Sequence, residues 1–226
     1  YYMLASRVMS APIVLIAESI GKAFLIESTS NDKQKLKTLT MNIYVMLLKL
    51  SIGPLFVFGV IAPDVFTIVF GNQWTESGLY AQAMIPWIFS VFVFVPMMQL
   101  YVTFERQDIE IRFQTFILVS RVTGIIIGAI IGDVVVAIVL YSIFAFISYT
   151  ACGIWIMSNA GLTISKLVIR LIKEMIMAAA FVLPLFIIKN THFFDDELFV
   201  FLISIILIGF FIYRSRGIVF KVKNAR

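Results

Sequence analysis

Arg7, Glu18, Lys49 and Arg121 carry the chemistry that most needs explaining in this chain, because each lies inside an apolar stretch. A charged side chain at the centre of a membrane-spanning helix costs about 2.5 to 3.5 kcal/mol on insertion scales, so each of the four requires a partner, a hydrated cavity or a ligand. At 100° per residue, Arg7, Ser10, Val14, Glu18, Gly21 and Lys22 fall on one stripe, which gives the first helix a polar face. With a rise of about 1.5 Å per residue, Lys49 lies about 12 Å and Arg121 about 10 Å inside one end of their helices, and Glu18 lies about 10 Å inside Leu25. The spacing predicts one layer in which Lys22, Lys49 and Arg121 outnumber the single carboxylate of Glu18. Such a layer suits an anionic group, and its carboxylate suits coupling to an ion. A second reading stands beside it: Glu18 pairs with Lys22 at i, i+4, while Lys49 and Arg121 snorkel or pair elsewhere.

Other chemistries find few residues to work with. The single histidine, His192, sits beside Phe193, Phe194, Asp195 and Asp196, and no spacing of His, Cys or carboxylates suggests a metal set. No glycine-rich loop is present to cradle a nucleotide phosphate. Cys152 lies in an apolar stretch and has no second cysteine to bridge to. A membrane glycosyltransferase or polysaccharide polymerase would display acidic or His/Arg constellations in a sizeable loop, and the loops here are short. No catalytic residue, no metal and no cofactor is expected.

The elements that must position the charges are helices. Seven apolar stretches, at 3–25, 41–62, 79–101, 114–132, 134–157, 172–188 and 198–213, are close to the length that spans about 30 Å of hydrocarbon, and an open sheet would leave backbone groups unpaired in lipid. The fold class expected is therefore all-α, a polytopic transmembrane bundle of about seven spans. Composition agrees, since 61% hydrophobic residues, 14% charged residues and a mean hydropathy of +1.01 lie far from soluble domains. Alternate connectors hold thirteen Lys and Arg residues, while the others hold Lys189 as their one cation. This split places the basic connectors and the C-terminus in the cytoplasm, and it makes the net charge of +5 a record of topology, with no nucleic acid as partner. The chain opens on Tyr1 and Tyr2 already inside an apolar stretch, which suggests that it is the later part of a longer protein.

Three local patterns add detail. Gly124, Gly128 and Gly132 recur every four residues, predicting a face stripped to backbone for close helix packing, and Asp133 alone separates the fourth stretch from the fifth, predicting a tight hairpin. Lys166, Arg170 and Lys173 at i, i+4 and i+7 predict a basic-faced helix on the inner surface, attracted to membrane lipids. On the outer side, Val65 to Phe70, ended by Gly71 and followed by Trp74, reads as a short apolar helix lying on the membrane.

That outer segment, Ala62-Pro63-Asp64-Val65-Phe66-Thr67-Ile68-Val69-Phe70-Gly71-Asn72-Gln73-Trp74 with Gly78 and Pro86 after it, resembles the "aP…lFGxxW…a…lP" pattern of polysaccharide flippases. The opening Tyr1-Tyr2-Met3-Leu4-Ala5-Ser6-Arg7 with Pro12 resembles the "YxlAxR…P" stretch those proteins carry upstream, and Phe104-Glu105-Arg106-Gln107 falls where they have a short basic turn. The chain is thus similar to the O-antigen and exopolysaccharide branch of the multidrug/oligosaccharidyl-lipid/polysaccharide exporter superfamily, over residues 1 to about 157. The resemblance implies a two-lobed transporter of fourteen helices in the bacterial inner membrane, with this chain as its C-terminal part. It implies a substrate, undecaprenyl-diphosphate-linked oligosaccharide, moved by alternating access, and other polysaccharide-assembly proteins as companions. Under it, Arg7, Lys22, Lys49 and Arg121 become candidates for the diphosphate headgroup, Glu18 for ion coupling, and Pro63, Phe70, Gly71 and Trp74 are structural. A lipid II flippase or a multidrug exporter shares the architecture, but an exporter of cations should prefer acidic groups in its cavity.

Overall fold

The structure, a computed structural model, describes residues 1–28, 32–190 and 203–213. His192, the acids at 195–197, the beginning of the seventh apolar stretch and the cations from Arg214 to Arg226 lie outside the described residues. Every described element is helical: α1 (Tyr2–Ser28), α2 (Lys33–Phe70), α3 (Thr75–Phe94), α4 (Leu100–Thr103), α5 (Gln107–Ile131), α6 (Val134–Asn159), α7 (Ile164–Asn190) and α8 (Ile203–Tyr213). Among the described residues, five helical runs are long and apolar enough to cross a membrane, namely Tyr2–Ser28, Lys33–Phe70, Asn72–Thr103, Gln107–Ile131 and Val134–Asn159. They match the first five expected stretches. The helices α7 and α8 stand where the last two were expected; α7 interrupts its apolar run with Lys173, Glu174 and Lys189, and the described part of α8 covers about 16 Å.

Two expected surface helices are instead the ends of longer ones. The Val65–Phe70 segment continues α2 without a break, giving a helix of 38 residues and about 57 Å. Pro63 should have stopped it, since proline cannot donate to the carbonyl four residues back. That carbonyl, Gly59 O, accepts a hydrogen bond from Gln82 Nε2 of α3 at 2.5 Å. The next one, Val60 O, accepts from Lys189 Nζ of α7 at 2.7 Å, and the same ammonium pairs with Asp64 at 2.6 Å. Neighbouring helices thus complete what the proline leaves open. Likewise, the basic segment from Lys166 to Lys173 is the first part of α7 and not a separate element.

The sequence pattern at 63–78 now has a physical reading. Gly71 ends α2 at φ 98°, a left-handed conformation that favours glycine, and its N–H returns to Thr67 O. A 3-10 turn over Asn72–Trp74 reverses the chain into α3. Trp74 meets Tyr1 edge-on at 5.7 Å, tying the start of α1 to this hairpin, and Phe70 packs on the fully buried Phe66. Gly78 lies against Pro63 so closely that a Cβ there would be 2.4 Å from Pro63 Cα.

At the centre stands α3, packed on α1, α2 and α6, while α7 packs on α2 and α5 packs on α6. Tyr44, Phe66, Phe94, Met97 and Tyr101 fill the core between them. The α5–α6 hairpin forms as its sequence predicts. Gly132, at φ 81°, returns its N–H to Gly128 O and Ala129 O, and Asp133 Oδ1 then caps α6 by accepting from Val135 N and Val136 N. A Cβ on Gly128 would lie 2.2 Å from Ala137 Cα, and one on Gly124 would lie 2.9 Å from Tyr141 N. Gly132 does not share that packing, because nothing lies within 4 Å of its would-be Cβ; it serves the turn. Successive helices alternate in direction, so Tyr1, Trp74, Asp64 and Lys189 gather at one end of the bundle. Ser28, bonded to Thr103 at 2.6 Å, lies toward the other end, where Lys33, Lys35, Arg106 and Lys166 also begin their helices.

Candidate functional site

The cations and the carboxylate expected in one layer occupy three separate places. Arg121, on α5, is half-buried against two aromatic rings. Its guanidinium carbon lies 4.6 Å from the ring centroid of Tyr141 and 5.5 Å from that of Trp87, and these two rings meet each other edge-on at 5.5 Å. Tyr149, two turns beyond Tyr141 on α6, lies near the same guanidinium. Cation–π contacts are worth roughly 0.5–1 kcal/mol when exposed and about 2 or more when desolvated, so two rings offset most of the burial cost. No carboxylate among the described residues pairs with Arg121, and its Nε is buried without an acceptor. Beside the cage, Ser148 donates to Ser120 Oγ at 2.7 Å, which knits α6 to α5 at the same level.

Lys49 is half-buried on α2, and α3 stands between α2 and the α5–α6 hairpin. Equal depth along their helices therefore does not bring Lys49 to Arg121. Arg7, Glu18 and Lys22 are all exposed, on the side of α1 that turns away from α3. The predicted stripe is split. Gly21 faces inward, with Gln99 and Pro96 about 3.4 to 3.5 Å from its would-be Cβ, and Ser10 spends its hydroxyl on Ser6 O. Glu18 and Lys22 are not joined as an ion pair, so the i, i+4 pairing that competed with a ligand role is not formed.

Two further polar features were not anticipated. Glu174 is 3% exposed and pairs with Arg170 at 2.9 Å, so the middle cation of the basic face turns inward while Lys166 and Lys173 remain exposed. The i, i+4 spacing of Arg170 and Glu174 was the available signal. The Asp64–Lys189 pair joins residues far apart in sequence, and only their shared assignment to the cation-poor side of the expected topology hinted at it.

No family model matches the chain, and no curated protein or solved structure matches it either.

Proposed function

We propose that the chain is the C-terminal part of a bacterial inner-membrane transporter that moves undecaprenyl-diphosphate-linked oligosaccharide by alternating access, with the outward face of α1 lining the route. The observation that carries this reading is that face. Arg7, Glu18 and Lys22 stand exposed on a helix of membrane-spanning length whose opposite side, through Ala5, Met9, Ala17 and Phe24, is buried. Charged groups do not face hydrocarbon when a wetter environment is within reach, so this face borders a hydrated space or a polar partner lobe. Two cations against one carboxylate favour an anionic headgroup there. Glu18 is the group on this face able to accept a proton. In this reading Arg121 supports the bundle and does not touch substrate, and the motif residues Pro63, Phe70, Gly71 and Trp74 hold the outer hairpin.

The test uses the full-length protein as the sole copy in cells. Charge-assisted hydrogen bonds are worth about 1.5–3 kcal/mol, so Arg7→Gln with Lys22→Gln should lower surface polysaccharide by about tenfold or more. The amount of protein in the membrane should not change, because both side chains are exposed. Export at the normal rate would remove α1 from the route.

Orientation is tested separately. In a Cys152→Ala background, an impermeant thiol reagent added to intact cells should label Gln73→Cys and should reach Lys35→Cys only after permeabilisation. Both positions are exposed, so accessibility to the protein surface is not the variable. The reverse pattern would place the cation-rich end outside.

A further inference from the structure

Pro12, Pro54, Pro86 and Pro184, one in each of α1, α2, α3 and α7, lie at nearly one level of the bundle. Gly59 of α2 meets Gln82 of α3 and Pro63 meets Gly78, so along these antiparallel helices Pro54 falls beside Pro86. Ser28 meets Thr103, 75 residues on, and Gly21 meets Pro96 at the same offset, which sets Pro12 beside Pro86 as well. Tyr44 meets Leu167 and Lys189 meets Val60, which brackets Pro184 opposite residues 55–61 of α2. A proline leaves the carbonyl four residues back without its helical donor, and its ring presses on that carbonyl, so a helix bends there readily. At Pro63 neighbouring helices brace the freed backbone. In this layer they do not: Val8 O, Leu50 O, Gln82 O and Ala180 O accept no side-chain hydrogen bond among the described residues.

Beyond the layer, toward Trp74, the same four helices are tied to one another. Tyr1 packs on Trp74, Thr67 and Thr75 share a hydrogen bond of 2.7 Å, Gln82 donates to Gly59 O, and Lys189 holds Val60 O and Asp64. The α5–α6 hairpin is built differently. It holds no proline, and its helices meet backbone to backbone at Gly124 and Gly128, which makes it stiff. Tyr141 meets Trp87 at the proline layer, whereas the hairpin tip beyond, from Ile130 to Val135, is exposed. The tied ends and the hairpin tip are therefore free to move apart.

Room exists on the side toward which α2 would bend. Because a proline ring pushes against the carbonyl on its own face, the helix closes toward the opposite face, and Ile52 and Phe56 each stand about 200° from Pro54. Both line a half-open apolar crevice of about 320 Å³ between α2, α3, α6 and α7. We propose that the Trp74 ends of α1, α2, α3 and α7 form one body that swings on this proline layer against the α5–α6 hairpin. From Pro54 to Phe70 the lever is about 24 Å long, so a bend of about 20° carries its tip about 8 Å. The swing follows from the fold and holds whether or not α1 lines a transport route.

Pulsed electron paramagnetic resonance on the full-length protein in lipid nanodiscs, with Cys152→Ala and no other native cysteine, tests this. Spin labels at Gln73→Cys and Val134→Cys relate the tied ends to the hairpin tip, and labels at Lys35→Cys and Asn159→Cys relate α2 to α6 at the other end of the bundle. All four positions are exposed. With the prolines in place, the first pair should give distances spread over about 8 Å and the second a single narrow peak. Pro12→Ala, Pro54→Ala and Pro86→Ala combined return the missing N–H donors and should collapse the spread of the first pair while leaving the second unchanged. Equal widths for the two pairs with the prolines in place, or a spread that survives their replacement, would overturn the hinge. If the triple variant does not fold, the comparison of the two pairs decides alone.

Discussion

Gly78→Ala and Gly128→Leu are each expected to unfold the protein in detergent at temperatures where Ile127→Leu leaves it intact. A Cβ on Gly78 would sit 2.4 Å from Pro63 Cα and 2.7 Å from Ala62 O, and one on Gly128 would sit 2.2 Å from Ala137 Cα. These obstacles are backbone atoms in helices, which cannot rotate aside as a flexible side chain can. Overpacking a core costs typically about 1–3 kcal/mol, and obstacles made of backbone place both variants at or beyond the top of that range. Ile127, by contrast, is 37% exposed, and exchanging it for leucine conserves volume. Thermal unfolding followed by helical signal, or the fraction of protein surviving heat and centrifugation, reads the difference. If Gly128→Leu and Ile127→Leu unfold together, the α5–α6 contact is looser than the backbone distances require. Gly132→Ala should act differently from both. It meets no neighbour, yet it forces a left-handed φ on a residue with a Cβ, so its cost is that of a strained turn.

What could be read from sequence was what a few residues decide locally. Gly132 and Asp133 announce the end of one helix and the cap of the next, because both roles use hydrogen bonds within four residues. The five long apolar helices among the described residues follow from the length of apolar runs alone. Helix continuity at Pro63 was illegible, because the groups that complete it, Gln82 and Lys189, come from other helices. The same limit governs the charged residues. Counting from the helix ends gives the depth of Lys49, Arg121 and Glu18, but depth is one coordinate of three. Which side of the bundle each faces depends on helix order in space, with α3 standing between α2 and the α5–α6 hairpin. The stripe on α1 failed for a related reason: Gly21 is small enough to be drawn into the contact with Pro96 and Gln99, while Glu18 and Lys22 beside it are not. Arg121 was correctly singled out as needing a partner. Its partners are aromatic side chains on α3 and α6, and charge counting has no means of finding those.

This difference makes Arg121 the position where the two accounts of the cations separate most widely. Were its charge presented to a diphosphate, Arg121→Lys would preserve function better than Arg121→Met. The cage demands the opposite order. A guanidinium is flat, weakly hydrated and able to lie over Tyr141 and Trp87 together; a lysine ammonium is a compact, strongly hydrated point charge that loses the stacking and keeps the desolvation cost. Methionine loses the cation–π contacts but also removes a charge that costs about 2.5–3.5 kcal/mol to hold in a membrane, and its flexible chain refills much of the volume. Replacing a buried charge by an apolar residue of similar size is often neutral or stabilising. Arg121→Met should therefore retain near-normal thermal stability and near-normal export, Arg121→Lys should lose stability, and Arg121→Ala should lose stability too, since it removes both the ring contacts and the stem that packs beside them. Tyr141→Leu should weaken the wild type more than it weakens Arg121→Met, because the ring's contact with the guanidinium is already absent there. Thermal stability of the purified variants and surface polysaccharide in cells read the two orders independently. Export lost in Arg121→Met and rescued in Arg121→Lys, with both proteins stably folded, would return this cation to the substrate route.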